Sequence, residues 1–289
     1  MTTGAASYGA LLDAVRGVRW PARRRAPGAT IGAHRSRLRG SSSEFSEFRP
    51  YRQGDDPRRV DWRLLARSDR AYVRLTTDRA TMRTEIVLDA STSMAFPPDA
   101  LDRWQRAREV AIGLASVAHA EGDPVGLAIA SETPLRIPPR ARRSVIAEMI
   151  RAVEGSRAVG ASALAPLVAS SRASRIAVIT DLLGDADELL AVCRLAIAAG
   201  GEVVVLHLIT SEELDPPAEA QLAVDPEQPT VRRSLDTDGR QGYRAALEAW
   251  LDSMQREFRG AGVRFARALA SEPAARIVRR VAADAPADA

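Results

Sequence analysis

No stretch of this sequence approaches the roughly 20 consecutive apolar residues that a transmembrane helix requires, so no membrane insertion is expected. Residues 1–12 lack a basic segment followed by an apolar one, which argues against a secretion signal. Cysteine is almost absent. Cys193 stands alone, so an internal disulfide is excluded, and its place in the apolar helical run 188–199 marks it as a buried structural thiol rather than a nucleophile. A cytoplasmic protein is the expectation these features give. Aromatic residues make up only 4%, so a core has to be assembled from Ala, Val, Leu and Ile. Lysine is missing altogether. All 41 basic residues are Arg, which reflects the coding bias of a GC-rich bacterial genome more than a function.

Hydrophobic residues account for 46% of the 289, as in a folded globular chain and too many for a disordered one. The length suits one large domain, or a domain with a smaller module. A net charge of +4 conceals an uneven distribution. Residues 1–80 carry 17 Arg against 8 acidic residues, a balance of +9, and the remainder carries 24 Arg against 29, a balance of −5. The basic front invites a nucleic-acid reading through Arg and aromatic contacts. Its acidic residues are interleaved with the Arg, however, which suits salt bridging better, and no helix-turn-helix, zinc-finger or Walker pattern accompanies it. Nucleic acid is therefore an unlikely partner.

From residue 84 onward the pattern becomes regular. Runs at 85–88, 124–130, 175–180, 202–208 and 263–268 read as strands, and 102–120, 141–153, 185–199, 243–258 and 272–281 have helical spacing. Short apolar strands alternating with helices predict a doubly wound α/β domain with a mainly parallel sheet covered on both faces. Residues 211–240, with Pro216, Pro217, Pro226 and Pro229, interrupt the pattern and read as a loop with a hairpin at the sheet edge. The expected division is an N-terminal module at 1–80, the α/β domain at 81–282 and a disordered tail at 283–289. Residues 21–80 are too polar for an independent core, so the basic module is expected to pack on the sheet.

Ligands of doubly wound sheets bind beyond the carboxyl ends of the strands, near the point where strand order reverses. Asp89 and Asp181 each stand at such an end. Asp89 opens Asp89-Ala90-Ser91-Thr92-Ser93, in which alternate positions of an extended loop point the same way. One carboxylate and two hydroxyls can thereby converge on a hard cation, for which Mg²⁺ or Mn²⁺ is the natural choice. Such a site stays open to water or to a partner's carboxylate. The bland alternative is that Asp89, Ser91 and Ser93 cap the following helix.

The pattern D-x-S-x-S after a strand resembles the metal-ion-dependent adhesion site of von Willebrand factor A domains. That resemblance implies a Thr from a second loop, where this chain offers Ser162, and an Asp from a third, matched by Asp181. The front carries a further string: His34-Arg35-Ser36, Gly40, Glu44-Phe45, Arg49-Pro50-Tyr51, Gly54-Asp55-Asp56-Pro57-Arg58, Asp61-Trp62-Arg63 and Ala66-Arg67. This is similar to the signature of the bacterial domain of unknown function fifty-eight, which precedes a von Willebrand-type domain. The resemblance implies an adaptor or co-chaperone working with a MoxR-type AAA+ ATPase on a client protein, without catalysis of its own. The implied metal ligands are Asp89, Ser91, Ser93, Ser162 and Asp181.

Two other features take plainer readings. The turn at Gly54-Asp55-Asp56, with Asp61 nearby, is expected to pair its carboxylates with Arg52, Arg58, Arg59 or Arg63, with Trp62 stacking on them, rather than to bind a metal. His119 in a helix and His207 in a strand read as structural. No G-x-S-x-G elbow or phosphate loop is present. A metal-assisted hydrolase at Asp89 and Asp181 is the enzymatic alternative.

Overall fold

The computed structural model describes residues 3–22, 31–35, 45–53, 55, 57–76, 79–98, 102–218, 220–224, 230, 232–234 and 236–283. The chain divides into two units, 22–82 and the remainder, so residues 1–21 belong to the α/β unit rather than to the N-terminal module. Helix α1 (Thr3–Ala14) explains the difference. Tyr8 and Leu11 from it, with Val15 and Trp20 just beyond, are buried in the same cluster as the sheet. A local reading of 1–20 gives a short helix but cannot say which body takes its apolar face.

In the 22–82 unit, β1 (Ile31–Arg35) pairs with β4 (Arg79–Ala80), and β2 (Phe45–Pro50) pairs with β3 (Tyr72–Thr76), both antiparallel. Between β2 and β3 lies α2 (Trp62–Ser68), whose first turn is capped by Asp61 accepting from the Leu64 N–H at 2.9 Å. Val60 and Val73 are buried here. Asp55 does take an arginine, but the partner is Arg49 at 2.7 Å, with the Arg52 backbone N–H at 2.8 Å. Both bonds hold its carboxyl below the usual range. Trp62 is 63% exposed. Gly54 and Asp56 of the turn lie outside the described residues.

The α/β unit continues with β5 (Thr84–Asp89), α3 (Asp102–Ala120), β6 (Val125–Ala130), β7 (Leu135–Arg140), α4 (Val145–Gly155) and α5 (Leu164–Ala169). There follow β8 (Arg175–Thr180), α6 (Ala186–Ala198), β9 (Glu202–Ile209), α7 (Ser211–Leu214), β10 (Leu222–Val224), β11 (Arg232–Ser234), α8 (Thr237–Gly260), β12 (Arg264–Leu269) and α9 (Ala274–Ala283). Six strands form one sheet in the order β12-β9-β8-β5-β6-β7, all parallel except β7. Strand β7 was not anticipated. Its Pro138-Pro139 argues against a central strand, but prolines are tolerated on an edge, which is where β7 lies. The segment 211–240 holds the hairpin β10–β11, which forms its own two-stranded sheet instead of joining the main edge.

Strands β5, β6, β8 and β9 are buried along their full length, as a sheet with helices on both faces requires. Alternation divides them. Ile86, Leu88, Leu127, Ile129, Ile179 and Leu206 face a layer containing α1, α3, α4 and α9. Val87, Ala128, Val178 and Val205 face the layer of α5, α6 and α8. Within the first layer a small residue lets two helices approach closely: a Cβ on Gly113 of α3 would sit 2.6 Å from Val278 Cγ2 on α9. Cys193 is buried in the second layer, and burial pushes its thiol up to about 12, in keeping with a structural role. No helix among the described residues is long and apolar enough to cross a membrane. The expected tail lies, from residue 284, outside the described residues.

At the amino ends of the strands a buried arginine ties α1's extension to the sheet. Arg175 opens β8, lies 4.5 Å from the centre of the Trp20 ring, and pairs with Glu202 at 3.4 Å and Asp123 at 3.8 Å. Trp20→Ala removes the largest fully buried side chain of this cluster and uncovers Arg175. It is expected to lower stability by about 3–5 kcal/mol in denaturant unfolding. A loss below about 1 kcal/mol would mean that residues 1–21 do not contribute to this core.

Candidate metal centre

Strand order reverses between β5 and β8, whose carboxyl ends lie side by side. Asp89 is the last residue of β5, and Asp181 directly follows β8. Both are buried, 3% and 2% exposed. After Asp89 the chain turns through Ser91 into a short 3-10 segment, Thr92–Ala95. Ser91 sits at the cap position yet makes no side-chain cap bond. Its backbone N–H instead donates to Asp89 Oδ1 at 2.9 Å, and its hydroxyl lies 2.9 Å from that of Ser93. The loop therefore turns its oxygens toward one another rather than over a helix end.

The second loop is pinned beside the first. Gly160 N–H donates to Thr92 Oγ1 at 2.8 Å, and the Thr92 and Val159 N–H groups donate to the Gly160 and Ala90 carbonyls, both at 2.9 Å. Gly160 has φ +76°, and a Cβ there would fall 2.2 Å from Glu132 Oε1, so no other residue fits without displacement. This anchorage delivers Ser162, half-buried, near enough to the Asp89 carboxylate to favour its charged form.

Two participants were not anticipated. Thr180 Oγ1 donates to Asp89 Oδ2 at 2.7 Å and accepts from the Leu182 N–H at 3.0 Å, so it fixes both the carboxylate and the third loop. Arg103, the second residue of α3, is fully buried and donates from Nη1 to Asp181 Oδ2 and, at 3.2 Å, to the Ser93 carbonyl. Its signal was present in the sequence. Arg103 falls on the same helical stripe as Ala107, Val110, Ala111 and Leu114, all buried, where a charge has no bland explanation. Thr180 left no comparable trace, since a hydroxyl inside a strand is common.

Asp89, Ser91, Ser162 and Thr180 line a cavity of about 40 Å³, bounded also by Asp185 and Glu188 of the next helix. Ser93 and Asp181 stand outside its lining. Ser93 connects through Ser91. Asp181 turns one oxygen to Arg103 and receives the Leu183 N–H on the other at 3.1 Å. Leu182 between these loops has φ 58°, a left-handed conformation costly for a branched side chain, held here by burial and by the Thr180 bond. Behind the third loop a ring nitrogen of His207 bonds the Asp181 backbone carbonyl. Burial, with Arg267 and Arg103 nearby, pushes His207 down to about 3, so it stays neutral and structural, packed 5.5 Å from Trp250.

Burial raises the Asp89 carboxyl above its ordinary range, and the Asp181 charge raises it further, against bonds from Thr180, Ser91 and Ser162. Hard oxygens facing a cavity, with negative charge in excess near Asp89, fit a small divalent cation. Asp89, Ser91 and Ser93 would hold it from the first loop, with Ser162 and Asp181 alongside.

The sheet order and its loop cluster define a von Willebrand factor A-like α/β domain. The model of the family described as "Protein of unknown function DUF58" matches residues 47–256, and the chain belongs to that family. It is 28% identical over 263 residues to the uncharacterized protein Rv1480 of Mycobacterium tuberculosis and, equally, to Mb1516 of Mycobacterium bovis, covering 87% of this chain and 82% of each relative. Among solved structures, the conserved hypothetical protein BatB from Bacteroides thetaiotaomicron is similar with a TM-score of 0.43 at 18% identity, over 70% of this chain and 97% of that one. The vWF domain of the pilus tip protein Mfa5 from Porphyromonas gingivalis has a TM-score of 0.33 at 13% identity, over 70% and 96%. These likenesses are too loose to bear on function.

The raised pKa has a consequence for stability. The folded chain holds the Asp89 proton more tightly than the unfolded one, so stability falls as pH rises from the ordinary carboxylate range through the raised value. Above the ordinary carboxylate range the Asp89 charge is therefore a burden on the cation-free fold. Asp89→Asn is expected to melt at a higher temperature than the wild type in the presence of a chelator, and a lower melting temperature would contradict this.

Proposed function

We propose that this chain is a metal-dependent protein-interaction module of the cytoplasm, acting as an adaptor or co-chaperone between a MoxR-type AAA+ ATPase and a client protein. The observation that carries the metal half is the convergence of Asp89, Ser91 and Ser162 oxygens on one small cavity at the switch point of the sheet, with buried and mutually repelling carboxylates behind it. Mg²⁺ or Mn²⁺ held there keeps a coordination position free, and an Asp or Glu of a partner fills it. The ATPase half rests on membership of the family and on what the resemblance of its front signature implies. Non-catalytic binding is favoured because the neutral, buried His207 cannot reach the cavity, which it does not line.

A metal-assisted hydrolase is the second reading, favoured by one feature. Glu188, exposed on α6, borders the cavity and is a carboxylate able to activate water. Turnover of a phosphate-ester panel with Mn²⁺, lost in Glu188→Gln, would establish it.

Calorimetric titration with Mg²⁺ and Mn²⁺, alongside capture of a MoxR-type ATPase from the same genome, tests the first reading. Wild type is expected to bind both the metal and the ATPase. Asp89→Ala is expected to lose the metal and to hold the ATPase at least about tenfold more weakly, a loss of roughly 1.4 kcal/mol. Equal capture by the two proteins would refute the metal-dependent interaction.

A further inference from the structure

Arg103 is a buried cation placed beside a site whose oxygens suit another cation. One guanidinium nitrogen, Nη1, bonds Asp181 Oδ2 and the Ser93 carbonyl, and the other, Nη2, pairs with Glu213 Oε2. Arg103 is fully buried, Asp181 nearly so, and Glu213 partly exposed. The guanidinium also lies 5.7 Å from the centre of the Phe96 ring, at the end of the first loop. It therefore touches the first loop, the third loop and the segment after β9 together.

Glu213 has a second attachment. Its carboxylate accepts from the Thr210 N–H at 2.8 Å and from the Thr210 hydroxyl at 3.2 Å, forming the capping box of α7. Its backbone carbonyl accepts from the Tyr243 hydroxyl of α8 at 2.8 Å. The chain of contacts runs from Asp181 through Arg103 and Glu213 to α7 and α8.

Resting on the metal-site reading above, we propose that Arg103 is an internal competitor for the divalent cation: it occupies Asp181 when the metal is absent, and it yields that carboxylate and leans on Glu213 when the metal binds. Two cations cannot both be held close to one carboxylate at low dielectric without repulsion, so metal and guanidinium share Asp181 unequally. Glu213 decides the division, because its charge stabilises Arg103 away from Asp181. Metal occupancy is thereby linked to α7, and by reciprocity anything that engages Glu213 alters metal affinity by the same factor. Arg103 is a positioning residue and needs no contact with the metal.

The test compares the Mn²⁺ affinity of the full chain with that of Arg103→Gln and Glu213→Gln, by calorimetry, with folding checked by circular dichroism. Glutamine at 213 preserves the capping box while removing the charge. Arg103→Gln is expected to bind Mn²⁺ about tenfold more tightly and Glu213→Gln about tenfold more weakly, within the usual range of coupling between sites. Mn²⁺ is also expected to shift hydrogen exchange at the 211–214 amides in wild type and to leave it unmoved in Arg103→Gln. Equal affinity in all three proteins, or weaker binding in Arg103→Gln, overturns the competition and leaves the metal site standing. Absence of Mn²⁺ binding in all three overturns the metal reading together with this inference. Should Arg103→Gln fail to fold, Glu213→Gln decides alone, and unchanged or tighter binding overturns the proposal.

Discussion

Two carboxylates, Asp89 and Asp181, are buried at the carboxyl ends of neighbouring parallel strands, and the local structure is organised around that concentrated negative charge. A carboxylate out of water needs donors or a cation. Asp89 has donors: the Thr180 hydroxyl and the Ser91 N–H, with the Ser162 hydroxyl nearby. Asp181 has a cation, Arg103. The asymmetry gives the two acids different roles. Asp89 faces the cavity with charge to spare, whereas Asp181 is already matched. The positive φ at Leu182 lies on the loop that carries Asp181, and backbone strain beside a site is what a functional cluster shows.

The opposite, amino end of the strands carries a second buried arginine, and the comparison separates architecture from function. Arg175 meets two carboxylates and the face of Trp20, and it joins the N-terminal helix extension to β8 and β9. Its surroundings are closed. Arg103 meets a carboxylate on the loop beside the site and another on a short helix that is partly exposed. The same side chain serves as a rivet at one end of the strands and, in the proposal made here, as a movable counter-charge at the other.

Much of the α/β unit was legible because its signal is local. The runs at 85–88, 175–180 and 202–208 lie within β5, β8 and β9, and the spacing at 102–120 matches α3. A parallel strand buried on both faces has to be apolar throughout, so it betrays itself in a few residues. What failed depended on contacts distant in sequence. Prolines hid β7, since only its position at the edge makes them harmless. Residues 1–21 were grouped with the basic front by charge, while Tyr8, Leu11 and Trp20 pack against helices more than 80 residues away. At the site, Asp89, Ser91 and Ser93 could be picked out by alternation in one loop. Asp181 stood out by its place at a strand end, and Ser162 needed the family resemblance. Thr180 and Arg103 entered only with the tertiary structure, though Arg103 on an otherwise apolar stripe was a discoverable anomaly.

The central claim is that the first loop presents its oxygens to a divalent cation. Anomalous diffraction from crystals of the full chain grown with Mn²⁺ tests it most directly. The account predicts a single strong peak bonded to Asp89, Ser91 or Ser93 oxygens at about 2.1–2.2 Å, the distance usual for small hard cations. A crystal saturated with Mn²⁺ that shows no peak there, or shows one only elsewhere, would contradict it.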